Sequence, residues 1–99
     1  MLLITGTFRI RPEKFLEARP VMEAMILASR AEHGCLGYAY AVDLLDGGLV
    51  HVVEHWRDQA ALSAHFSSAH IARWRATWPS LDITDRDLTL HEVGGSRAT

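Results

Sequence analysis

The chain has 99 residues, one cysteine and a formal net charge of −2. That length leaves room for one domain, since domains usually run to about 100–150 residues. The charge excludes the basic face of a dedicated nucleic-acid binder, the lone Cys35 excludes an intrachain disulfide or multi-cysteine zinc site, and the 48% apolar share excludes wholesale disorder.

Residues Leu2 to Ile10 alternate and are rich in β-branched side chains, which predicts a strand. Leu2, Ile4, Gly6, Phe8 and Ile10 fall on one face. Arg11-Pro12-Glu13 opens a helix, with proline at the first helical position and an acid in the first turn. The helix runs to about Glu32, kinked near Arg19 by Pro20, and His33-Gly34 ends it. Leu36 to Asp43 is a second strand, with Leu36, Tyr38, Tyr40 and Val42 on one face. Asp46-Gly47-Gly48 reads as a hairpin turn, because glycine takes positive φ freely. Leu49 to Trp56 is the third strand. Asp58 caps a helix through Phe66. Ser67 or Ser68 caps the next, which runs to about Trp78 before Pro79 stops it. Residues 85–93 form a last strand, and Gly94 to Thr99 a mobile tail.

The domain is therefore residues 1–93, in the order β-α-β-β-α-β. That order predicts an α+β, ferredoxin-like fold with a four-stranded antiparallel sheet and helices on one face. In the third strand Val50, Val52, Glu54 and Trp56 share one face, and Leu49, His51, Val53 and His55 share the other. Both faces carry apolar residues, yet the helices cover only one. Such an uncovered apolar face predicts a homodimer packed sheet on sheet. No apolar run approaches the ~20 residues of a membrane span. Met1 to Gly6 lacks the basic region and long apolar stretch of a signal peptide. A cytoplasmic protein with no membrane or nucleic-acid partner is expected.

Three segments resemble the antibiotic biosynthesis monooxygenase family of dimeric α+β barrels. They are residues 5–13, residues 32–38, and Glu54-His55-Trp56-Arg57-Asp58 running on to His65-Phe66. Ser67-Ser68-Ala69-His70-Ile71 continues the last of them, and the likeness spans residues 2 to 93. It implies a cofactor-independent monooxygenase acting with O₂ on a phenolic, quinol or polyketide-type aromatic. Such chemistry needs an apolar pocket, an acceptor for the phenolic proton and a dry site for the oxygenated anion. Two alternatives on the same fold are a non-catalytic ligand-binding or sensing dimer and a cofactor-free isomerase or signal-processing enzyme.

His65 and His70 are the expected acid or base, because imidazole chemistry suits abstraction of a phenolic proton. The resemblance makes Trp56 a wall of the substrate pocket. Glu54 shares its strand face and is expected to meet Arg73, Arg75 or a histidine. His70, Trp74 and Trp78 recur four residues apart, so Trp74 and Trp78 join the substrate-binding set. Polyketide-oxidising relatives carry asparagine and tyrosine where this chain has Val52 and Leu62. Haem-degrading relatives use asparagine, tryptophan and histidine where Thr7, His65 and Arg75 stand, so haem breakdown by that route is not expected. His51, His55 and His91 form one conceivable metal set, but the strand histidines fit a dimer contact better, and no metal or cofactor is expected.

Overall fold

The structure is a computed structural model that describes all 99 residues. Its strands are β1 (Leu2–Arg9), β2 (Cys35–Asp43), β3 (Asp46–Trp56) and β4 (Thr84–Glu92). Its helices are α1 (Phe15–Arg30), α2 (Gln59–Phe66), α3 (Ala69–Ala76) and the short α4 (Trp78–Leu81). The strands lie in the order β2-β3-β1-β4, and every neighbouring pair is antiparallel. This is the expected α+β, ferredoxin-like architecture.

The alternation in β1 and β3 sorts their side chains as the sequence implies. Leu2, Ile4, Phe8, Val50, Val52 and Trp56 are buried beneath the helices. Ala18, Met22 and Met25 of α1, Leu62 of α2 and Ile71 and Trp74 of α3 close over them. The opposite face carries Leu3, Thr5 and Thr7 beside His55, Val53 and His51. No helix covers that face, and Val53 remains 45% exposed.

Local chemistry explains most boundaries and corrects several expectations. Pro12 opens a short 3₁₀ turn (Pro12–Lys14), and the α-helix proper starts only at Phe15. α1 carries Pro20 within its span and ends at Arg30 rather than Glu32. Gly34 has φ +85°, but it lies three residues beyond the right-handed C-cap Ala31, so its left-handed backbone turns the chain into β2 rather than ending α1. Asp58 accepts from the Ala61 amide at 2.9 Å, and Ser68 caps α3 through the Ile71 amide.

The hairpin turn is Leu44-Leu45, not Asp46-Gly47-Gly48. Asp43 pairs with Asp46, and neither Gly47 nor Gly48 has a positive φ. Asp46 instead accepts from the Gly48 amide at 3.0 Å and from Arg9 at 2.8 Å, which fixes it at the start of β3. Pro79 does not stop α3. That helix ends at Ala76, and Pro79 lies in the first turn of α4, where its missing N–H costs nothing.

Gly6 is the most tightly packed glycine of the sheet. A Cβ there would lie 2.0 Å from the Asp87 carbonyl oxygen and 2.7 Å from Leu88 Cα. Gly6→Ala should therefore push β4 off β1. We expect destabilisation of about 1–3 kcal/mol, read by urea unfolding. A midpoint equal to that of the parent would show that β4 yields without cost.

Candidate functional site

Glu54 is the one buried carboxylate on the helix-covered face of the sheet, 5% exposed. Alternation along β3 turns it inward with Val52 and Trp56. The indole N–H of Trp56 donates to its Oε1 at 3.0 Å. No arginine makes an ion pair with it, contrary to the expectation for Arg73 or Arg75. Desolvation pushes its carboxyl pKa up, opposed by the Trp56 hydrogen bond and by the charges of His65, Arg86 and Arg75. The carboxylate opens into a recess of about 200 Å³ walled by Ile4, Phe66, Leu88 and Leu90, with Arg86 beside it.

His65 and His70 meet, but elsewhere. His65 donates from Nδ1 to Glu32 Oε1 at 2.7 Å, and His70 donates from Nε2 to the same oxygen at 2.5 Å. The Ser68 hydroxyl lies 3.2 Å from His70 Nε2. His65 is only 2% exposed and stacks on Trp56, with ring centroids 4.5 Å apart. Neither histidine lines the Glu54 recess. His70 borders a separate groove of about 230 Å³ between α1 and α3, with Met25 and Arg73. The Nδ1, Nε2 and carboxylate atoms of Glu32, His65 and His70 all lie within 4.8 Å of one another. Sequence reading missed Glu32, because it follows α1 by chain position and reaches the α2–α3 junction only through the fold.

The tryptophans divide. Trp56 and Trp74 are 0% and 2% exposed and pack in the core, so neither forms an open wall. Trp78 lies in α4, outside α3, which breaks the proposed helical stripe. It still meets Trp74 edge-on at 6.2 Å, and the Arg75 and Arg86 guanidinium groups lie over its ring.

A larger cavity, about 320 Å³, lies between α1 and the β2 edge. Tyr40, Phe15, Met22 and Ile26 line it, with Arg19 and Glu23 as its charged groups. Those two pair with each other at 2.7 Å, which leaves no free base there. Burial raises the pKa values of Tyr38 and Tyr40, whose hydroxyls lie 3.4 Å apart. Size thus favours the α1 cavity and chemistry the Glu54 recess. The recess is the better candidate, because an acceptor on its floor is what proton abstraction needs.

The strand histidines do not assemble a metal set. His55 and His91 flank Leu3 from opposite neighbouring strands, and His51 is held by Asp43 at 2.8 Å.

Fold and site together define a small ferredoxin-like α+β domain with a partly apolar recess floored by one buried carboxylate. The antibiotic biosynthesis monooxygenase family matches residues 1–77, and the chain belongs to that family. A crystal structure from Deinococcus radiodurans superposes with a TM-score of 0.91 at 26% identity, covering 100% of this chain and 98% of that one. Rv0793 of Mycobacterium tuberculosis, whose name proposes a monooxygenase, is 34% identical over 73 residues, 74% of this chain and 71% of its own length. Its solved structure gives a TM-score of 0.78 over 99% of this chain and 98% of that one. The uncharacterised sll1783 of Synechocystis is 24% identical over 93% of this chain, which spans only 63% of that relative's length. No helix is long and apolar enough to cross a membrane.

Proposed function

We propose that the protein is a cofactor-independent monooxygenase of a phenolic, quinol or polyketide-type aromatic, with Glu54 as the proton acceptor. The observation that carries this reading is a buried carboxylate of raised pKa on the floor of a recess with apolar walls. Burial makes Glu54 a stronger base than an exposed carboxylate. Arg86 beside it offers a positive charge to a phenolate or enolate oxygen. Membership of the monooxygenase family supports the reaction class.

An anthrone-type substrate states the balance. Its ring methylene loses one proton to Glu54, and the resulting carbanion reduces O₂ to a bound hydroperoxide. Loss of water then leaves a carbonyl. One oxygen atom enters the product and the other leaves as water. The four electrons come from oxidation of CH₂ to C=O, so no external reductant is required.

His65 and His70 fit a supporting role here, with His65 stacked behind Trp56 and its charge favouring ionised Glu54. The assay is oxygen uptake with a panel of anthrones and hydroquinones. Stoichiometric uptake and a carbonyl product are expected, and binding without uptake would favour a ligand-binding or sensing protein.

The working unit of this reading is a homodimer in a reducing cytoplasm. The sheet face around Val53, with no helix over it, supports packing against a second copy. Val53 has Thr5 and Ala39 as cross-strand neighbours, so a charge there would sit inside the contact. Light scattering should report a dimer for the parent and a monomer for Val53→Arg. A parent that is monomeric at micromolar concentration would refute the dimer.

A further inference from the structure

We infer that Glu32, His65 and His70 form a binding site for one divalent transition-metal ion, separate from the Glu54 recess. Two imidazole nitrogens and a carboxylate are a donor set that suits zinc and its first-row neighbours. The three come from three segments: the loop after α1, the end of α2 and the first turn of α3. Their convergence is therefore a product of the fold and not of helical spacing.

The geometry is close to what an ion requires. Zinc holds such donors at about 2.0–2.2 Å, which sets neighbouring donors ~3–3.4 Å apart. Both nitrogens now lie nearer than that to Glu32 Oε1, at 2.7 and 2.5 Å. Opening the cluster by about half an ångström admits the ion. His65 is already oriented by its stack on Trp56 and by near-complete burial. A metal ligand held in this way needs little reorganisation.

The charge also favours a cation. Glu32 has no arginine or lysine within ion-pairing distance, and its partners are the two imidazoles alone. A carboxylate only 16% exposed and without a lysine or arginine partner is a natural oxygen donor for a divalent ion. Of the three ligands, His70 borders the groove between α1 and α3, so the cluster is approached from that side.

None of the three ligands lines the Glu54 recess, so the ion would not touch a substrate there. It would join the end of α1 to the α2–α3 junction and act through stability. Binding to the folded state alone raises stability by mass action.

The test uses chelator-stripped protein titrated with Co²⁺ and then Zn²⁺. One Co²⁺ per chain, visible ligand-field absorption, displacement by Zn²⁺ and a higher melting temperature are expected. Glu32→Gln keeps the size and two of the three donors. His70→Ala removes a donor from a partly exposed position. Each should weaken binding by at least the ~10–100-fold that losing an orienting neighbour alone costs. His55→Ala, on the uncovered sheet face, should bind as the parent does. Failure to take up Co²⁺ saturably would overturn the proposal. So would uptake that survives both Glu32→Gln and His70→Ala in variants with parental circular dichroism, or uptake lost in His55→Ala.

Discussion

Glu54→Gln is expected to reduce oxygen uptake by about 10²–10⁴-fold while the protein stays folded. The amide keeps the shape and can still accept the Trp56 N–H, but it cannot take a proton from the substrate. The stability effect has the opposite sign. The folded-state pKa of Glu54 lies above its ordinary value of 4.5, so the folded state holds the proton more tightly than the unfolded one. Stability is therefore lost as pH rises from the unfolded pKa through the folded one. At neutral pH the charged, desolvated carboxylate destabilises the fold, and the glutamine variant should melt higher. Below pH ~4 both forms are neutral and the difference should vanish. A loss of turnover joined to a gain in melting temperature is the signature of a group kept for chemistry at the expense of stability. The parent's rate should rise with pH along a limb above the usual carboxylate range. If turnover survives Glu54→Gln and collapses in His70→Ala, the base is the histidine.

Sequence made the sheet legible because its signal is local. The period of two in β1 and β3 assigns Leu2, Ile4, Phe8, Val50, Val52 and Trp56 to the core without knowledge of any neighbour. Asp58 and Ser68 are equally local, since each caps a helix through an amide three residues on. The hairpin failed for an instructive reason. Asp46-Gly47-Gly48 carries the turn residues, yet the register is set by cross-strand pairs such as Ala41 with His51 and Val42 with Val50. Those pairs put Leu44 and Leu45 at the tip, 97% and 93% exposed, where no composition rule expects them.

The candidate site divides along the same line. Glu54 and Trp56 stand two apart on one strand, and their shared face is visible in the sequence. Arg86, Leu88 and Leu90 reach Glu54 only because β4 lies beside β1, a pairing of residues 75 to 90 positions apart. Glu32 lies 33 and 38 positions from its histidine partners. Long-range juxtapositions of this kind follow from the packing of whole elements. A chemical reading of His65 and His70 as a pair was therefore possible, while the carboxylate between them was not.

Trp56→Ala carries the largest expected cost in stability. Trp56 is wholly buried, meets Tyr38 edge-on at 6.3 Å and stacks on His65 at 4.5 Å. Removing an aromatic side chain from such a position costs about 3–5 kcal/mol. Glu54 would also lose its N–H donor, and an unpaired buried group adds about 1–3 kcal/mol. Against a total stability of about 5–15 kcal/mol, the variant should be largely unfolded at 37 °C or melt far below the parent. Trp56→Phe separates the two contributions. It restores most of the packing but still lacks the donor, so its stability loss should be smaller. Loss of that hydrogen bond disfavours the carboxylate form and should raise the Glu54 pKa further. The acid limb of the rate profile should then move to higher pH in the phenylalanine variant, while the plateau rate stays near parental. A profile that does not move would mean that the indole N–H has no hold on the carboxylate. A Trp56→Ala protein with the parent's unfolding midpoint would mean that α2 does not rest on this ring.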